Sequence, residues 1–297
     1  MWKTRFAELL ADREPGAQAL ADANELKRQH LPDALYKYRC FDERTLEILR
    51  SDNVWLSSPA SFNDPLDCAV TFDVQRVVDD IATRRETDGS KGSSALVRMI
   101  RGENFGLPSE VRSALVEATT KLYRHLAKPL VEHATGRYRS GLRICCFSES
   151  VTSVPMWAHY AGLHTGLCIE WTMSDWRSTP DIVENIFPVL YDTKPYQMPS
   201  LAINPSHAGA ELVLALRKAL DWSYEKEWRY VLQTASAASG CLQRLTRPSA
   251  VHLGLLMPAP EKQTVVRLCN ERGIKVSQMR CDLERGYLAV GELIETR

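Results

Sequence analysis

Short strand-like runs recur from Leu35 to Val290 without regular alternation with helices, and this pattern narrows the fold more than any other feature of the chain. A parallel βαβ architecture needs a helix between successive strands, whereas clustered strands with one long helical interruption predict an α+β fold. Strands are expected at Leu35–Arg39, Val54–Ser57, Ala69–Phe72, Leu142–Phe147, Gly166–Trp171, Ile186–Tyr191 and Glu227–Leu232. Three more follow near Val251–Gly254, Ile274–Met279 and Tyr287–Val290. Phe6, Leu9, Leu10, Leu20 and Leu26 recur on one helical face across residues 5–29, which Pro15 and Gly16 interrupt into one broken helix or two short ones. Further helices are expected at Glu43–Arg50, Pro108–His133, Ala208–Leu220 and Glu261–Arg272. The Gly- and Ser-rich stretch Thr87–Ser94 precedes the second of these. The organisation is therefore an N-terminal helical segment, 1–33, and one α+β domain, 34–297, with a helical insertion at about 74–140.

Lys plus Arg and Asp plus Glu each total 37 in 297 residues, so the formal net charge is zero and no strongly basic nucleic-acid footprint appears. The eight cysteines form no C-x-x-C pair, and adjacent Cys145 and Cys146 point to opposite faces of a strand. Met1-Trp2-Lys3-Thr4-Arg5 leads into a charged amphipathic stretch, unlike a secretory signal, and no apolar run approaches the roughly 20 residues of a membrane span. A cytoplasmic, soluble chain with reduced thiols is the expectation.

Polar chemistry converges on three segments. In Tyr224-Glu225-Lys226-Glu227-Trp228-Arg229, a period of two puts Glu225, Glu227 and Arg229 on one face of a strand. Such a row is either a site or an exposed strand edge whose charges pair for solubility. Met156-Trp157-Ala158-His159-Tyr160 supplies stacking surfaces, a titratable ring and a hydroxyl, against the plainer alternative of a histidine satisfied in the core. Phe62-Asn63-Asp64-Pro65 is an Asx-type turn, with Ser57 and Ser58 just upstream. His159 and His164 are five apart, the wrong spacing for two ligands on one helix face, so no zinc site is expected. The GxxxxGK, GxGxxG and Gly-x-Ser-x-Gly patterns are missing, which removes the commonest nucleotide-triphosphate, dinucleotide-redox and α/β-hydrolase readings.

In order, Leu35-Tyr36-Lys37-Tyr38-Arg39, Trp55-Leu56-Ser57-Ser58-Pro59, Phe62-Asn63-Asp64-Pro65, Cys146-Phe147-Ser148-Glu149, Met156–Tyr160 and Tyr224–Arg229 resemble a bacterial family known as domain of unknown function number 2971, from about residue 34 to 291. An early-strand Arg, later-strand serines and a Glu-x-Glu opening a further strand also resemble the Arg-Ser-Glu ADP-ribosyltransferases. That resemblance implies a split, strongly bent mixed sheet and NAD as substrate. It gives Arg39 the phosphates, Ser57, Ser58 or Ser148 the nicotinamide-ribose pocket, Glu227 the catalytic role and Glu225 the acceptor side. Tyr38 or Trp157 would stack on a base, His159 and Tyr160 would line the pocket, and Asn63 and Asp64 would form the turn beside it. The chemistry suits those residue types, since a fixed carboxylate lowers the barrier to an oxocarbenium-like centre and a guanidinium pairs two phosphate oxygens at once.

Three functions are therefore weighed. The first is an NAD-dependent ADP-ribosyltransferase, such as a toxin or phage-defence effector, acting on a protein or nucleic-acid acceptor. The second is a non-enzymatic nucleotide or protein sensor on a similar scaffold. The third is a hydrolase or nuclease using His159 with Glu149 or Glu227.

Overall fold

The structure, a computed structural model, describes residues 2–11, 17–69, 71, 106–193, 208–234 and 238–294. Thr87–Ser94, with Val70 and Phe72 of one expected strand, lies outside the described residues. The fold is mixed α+β around a large sheet that does not close. Its order is β12-β11-β10-β4-β1-β3-β2-β9, with β8 on β3 and β5 on β8. These strands are β1 (Ala34–Arg39), β2 (Asn53–Ser57), β3 (Leu142–Ser148), β4 (Leu167–Thr172), β5 (Ile186–Pro188), β8 (Glu227–Gln233), β9 (Gly240–Arg244), β10 (Ala250–Leu253), β11 (Lys275–Asp282) and β12 (Tyr287–Leu293). A separate parallel pair joins β6 (Leu190–Asp192) to β7 (Arg217–Ala219).

The sheet forks at β3. One edge of β3 pairs along its whole length with β8, from Leu142↔Gln233 to Ser148↔Glu227. The other edge is shared, because Tyr36 of β1 faces Ser148 while Ser57 of β2 faces Ile144. β1 then continues through β4 to β12 and β2 through β9. In the opening between them, the Cys146 carbonyl accepts a hydrogen bond from Lys37 Nζ at 3.1 Å, a side chain standing where a neighbouring strand would be.

Alternation along the strands sends apolar side chains into separate clusters, two of which sandwich the centre of the sheet. Leu35, Val54, Leu56, Cys145, Phe147, Trp228 and Tyr230 pack on one face, with α3 (Glu43–Ser51) and α9 (Ala259–Glu271). Leu142, Ile144 and Val231 pack on the other, against α1 (Trp2–Ala11), α2 (Ala17–Gln29) and α8 (Ala208–Leu216). The N-terminal helices thus cover the main sheet. α3 is well specified locally: Asp42 accepts from the Thr45 N–H at 2.7 Å, and Asp52 closes the other end in a left-handed conformation.

Between these elements, α4 (Ser109–Ser140) is the helix expected over Pro108–His133, and α5 (Val154–Tyr160), α6 (Met173–Arg177) and α7 (Pro180–Asn185) are short. The expected helix Ala208–Leu220 ends at Leu216, because β7 pairs with β6 and Arg217 donates to Asp192 at 2.9 Å. Pairing with a distant strand overrides the helical pattern there. β9 has no counterpart among the expected strands. No described helix is long and apolar enough to cross a membrane.

Lys27 of α2 is 1% exposed, donates to the Glu184 carbonyl at 2.9 Å and lies 4.0 Å over the Phe187 ring. Burial, reinforced by Arg28 and opposed by Glu184, lowers its pKa to about 7. Between that value and the ordinary lysine pKa the folded chain binds fewer protons than the unfolded one, so this group makes stability rise with pH. Urea unfolding from pH 6.5 to 9.5 is expected to show a steeper gain in wild type than in Lys27→Met, with Lys27→Met the more stable protein at pH 6.5.

Candidate functional site

The 3-10 turn Leu220–Glu225 stops at Lys226, whose φ of 45° and ψ of 52° are left-handed and whose N–H bonds the Ser223 carbonyl. A non-glycine residue in that region is strained, and the strain reverses the chain immediately before β8. Glu225 and Glu227 thereby flank one ammonium: Lys218 Nζ contacts Glu225 Oε2 at 2.5 Å and Glu227 Oε2 at 3.0 Å. Arg229 donates through Nε to Glu227 Oε1 at 2.8 Å and, as a fork, to Asp67 Oδ1 and Oδ2 at 2.9 and 2.7 Å. A further Arg229 bond reaches the Ala215 carbonyl at 2.6 Å. The Tyr160 hydroxyl donates to Glu225 Oε1 at 2.7 Å, and the Glu227 N–H donates to the Tyr191 hydroxyl at 2.8 Å.

The exposed-edge reading of this segment is corrected. β8 is flanked by β3 and β5, and Glu225, Glu227 and Arg229 are 3%, 3% and 0% exposed. The convergence of Glu225 and Glu227 also has a different origin from strand alternation, since Glu225 precedes the strand and the left-handed Lys226 brings it round.

Asp67, Glu225 and Glu227 face Lys218 and Arg229, three carboxyl groups against two cations, so the fully ionised cluster carries one surplus negative charge. The two glutamates respond oppositely. Burial, with the Glu227 carboxylate beside it, raises the Glu225 pKa against the pull of Lys218. Burial would also raise Glu227, but Arg229 and Lys218 outweigh it and hold that carboxyl far below the ordinary range. Burial likewise opposes the charge on Lys218, and the carboxylates outweigh it, so Lys218 stays protonated. Of the two glutamates, Glu225 is therefore the one that takes up a proton more readily.

A cavity of about 950 Å³ opens beside the cluster, in the fork of the sheet. Asp67, Lys218, Glu225 and Glu227 stand on its wall, as do Tyr36, Tyr38, Trp55, Phe62 and Tyr160, with Lys37, Arg39 and Arg44 as further cations. This mixture of aromatic faces and a few convergent charges is what a small-molecule site requires.

The expected site residues divide on this wall. Tyr38, Arg39, Ser57, Asn63 and Tyr160 line the cavity with the two glutamates. Arg39 turns to α3, its Nε donating to Thr45 Oγ1 at 3.1 Å and its Nη2 lying 3.6 Å from Asp42. Asn63 donates to the Tyr160 hydroxyl at 3.3 Å, while Asp64 accepts from the Leu66 N–H and shapes the turn. Ser58 and Ser148 are committed elsewhere, donating to the carbonyls of Arg139 and Glu225. Trp157 is fully buried, set edge-on against Tyr38 with its N–H on the Val151 carbonyl, which leaves no open face for a base. His159 is off the cavity wall, sharing a 3.0 Å hydrogen bond with the Tyr224 hydroxyl. Lys218, Asp67 and Tyr191 escaped the sequence reading. Lys218 fell within an expected helix and Asp67 within a turn, and only the sight of unpaired acids at 225 and 227 could have prompted a search for their cation.

A family described as a protein of unknown function (DUF2971) matches residues 156–230. That span carries Tyr160, Lys218, Glu225, Glu227 and Arg229 and is narrower than the region over which the motifs suggest the resemblance. No curated protein and no solved structure matches the chain.

Unequal stability effects follow from the charge count. Glu225→Gln removes the surplus charge and keeps an acceptor for Tyr160, so its stability should stay within about 1 kcal/mol of wild type or rise. Arg229→Met strands Asp67 and Glu227 on Lys218 alone and is expected to cost roughly 3–5 kcal/mol. Urea unfolding of both variants at pH 7 measures the contrast.

Proposed function

We propose that the cavity binds NAD and that the chain is an ADP-ribosyltransferase, with a protein or nucleic acid as acceptor. The observation that carries this reading is the pair of glutamates whose surroundings drive their proton affinities apart on one cavity wall. Two carboxyl groups separated in this way divide the labour between a permanent anion and a proton carrier. Glu227 stays ionised and stabilises positive charge at the ribose C1′ as the bond to nicotinamide breaks and its electron pair leaves with nicotinamide. Glu225, once ionised, receives the proton released when the acceptor nucleophile bonds to C1′. Tyr160 and Lys218 hold Glu225 for that exchange. The guanidinium groups of Arg39 and Arg44, which line the same cavity, suit a pyrophosphate.

One observation favours the non-enzymatic alternative. Both oxygens of Glu227 already accept bonds from Arg229 and Lys218, as in a structural anchor for a nucleotide-binding sensor. Labelled NAD, bacterial lysate and separated nucleic acid, incubated with wild type, Glu225→Gln and Glu227→Gln, distinguish the two. Nicotinamide release and label transfer by wild type are expected, with losses of roughly a hundredfold or more in both variants. Glu225→Gln is the informative variant, because it is expected to fold like wild type. Full turnover by folded Glu225→Gln and Glu227→Gln would defeat the transferase reading. A ligand-induced thermal shift without nicotinamide release would favour the sensor.

A further inference from the structure

On β2, Val54 and Leu56 are fully buried in the core below the sheet, so Asn53, Trp55 and Ser57 face the other way, into the cavity. Trp55 is 45% exposed and its cross-strand partner Leu242 is 62% exposed. A large apolar pair standing open beside a cavity is a candidate contact surface for a ligand.

The indole is also fixed in place. Gly240 sits diagonally across on β9, and a Cβ there would fall 2.4 Å from Trp55 Cε2 and Cζ2. The ring therefore packs against the Gly240 backbone, where no side chain fits. One side of the indole is taken up by that contact, and Trp55 as a whole stays 45% exposed at the cavity. An aromatic ring held against backbone loses little freedom when a planar group stacks on it.

The position of Trp55 identifies which part of a ligand it meets. On β8, Trp228 and Tyr230 enter the same core as Val54 and Leu56, so Glu227 projects from the same side of the sheet as Trp55. β2 and β8 lie on opposite edges of β3, two strand spacings apart, and the register sets Glu227 a further two residues along, so the two residues stand on the order of 12 Å apart or more. That separation suits the two ends of one dinucleotide.

We infer that Trp55, supported by Gly240 and bordered by Leu242, is a stacking platform for the purine ring of an adenine nucleotide. The inference rests on the NAD reading for the identity of the other end, because a glycosidic bond broken beside Glu227 leaves adenine as the ring for the far wall. Stacking contributes affinity through the ring face and involves no step at C1′, so Trp55 is a binding residue and not a catalytic one.

Two measurements test it. ADP-ribose and AMP are titrated against the intrinsic fluorescence of wild type, Trp55→Ala and Trp55→Phe. Quenching by both ligands is expected in wild type, with binding weakened roughly tenfold or more in Trp55→Ala and partly restored in Trp55→Phe. Nicotinamide release is then followed with NAD and with nicotinamide mononucleotide, which lacks adenine. Trp55→Ala should raise the KM for NAD by a similar factor, leave kcat unchanged and leave the mononucleotide kinetics unaltered. Equal ADP-ribose affinity in wild type and Trp55→Ala, or equal losses with both substrates, would overturn the assignment. If adenine nucleotides bind through Trp55 while no nicotinamide is released, the platform stands and the transfer reading fails. Release with an unchanged KM in Trp55→Ala would leave transfer standing and remove the platform.

Discussion

Arg229 has no exposed surface, and its guanidinium is held by Asp67, Glu227 and the Ala215 carbonyl. Those partners come from the turn after β2, from β8 itself and from the end of α8, so one buried cation fixes three elements far apart in sequence. The guanidinium also lies 5.6 Å from the Phe62 ring, which brings the Asn63-Asp64-Pro65 turn to the same point. A buried charge is tolerated only when it is paired and fully bonded, and this one is. The conformation of Glu227, the position of Lys218 and the shape of the cavity wall depend on it.

The fork at β3 is the second constraint. A sheet with every edge paired would have no room for a ligand, and here β1 and β2 each take one end of the same edge of β3 before separating. Lys37 satisfies a carbonyl left in the opening, and the cavity occupies the remaining space. The ionic cluster lies along one wall and Trp55 along another. The unpaired stretch of β3 is thus what allows polar and aromatic groups from distant segments to face one another.

Much of this was legible from local pattern. The short apolar and aromatic runs at Leu35–Arg39, Val54–Ser57 and Leu142–Phe147 marked strands, and the apolar Leu46, Ile48 and Leu49 within Glu43–Arg50 marked α3. The tyrosine and the two glutamates now linked through Tyr160 and Lys218 stood out as residue types with chemistry to offer. What stayed hidden depends on contacts between remote segments. Lys218 meets Glu225 and Glu227 only because β7 forms against β6, and Asp67 meets Arg229 across 162 residues. Trp157 looked like a ligand platform from its type alone, yet it is core. Trp55, a plain strand residue by pattern, is the open ring, because the glycine beneath it lies on a strand that composition did not reveal.

The central place of β3 also bears on how the chain comes off the ribosome. β3 spans 142–148, but the strand that covers one whole edge, β8, ends at residue 233, and the β2 edge is completed by β9 at 240–244. A nascent chain that has emerged only to the end of β3 carries Leu142, Ile144, Cys145 and Phe147 with no partner strand on the β8 side. Such long-range pairing is slow to form and leaves apolar strand edges open meanwhile. β10 to β12 therefore join a body whose β3 and β2 edges find their partners only once β9 has emerged.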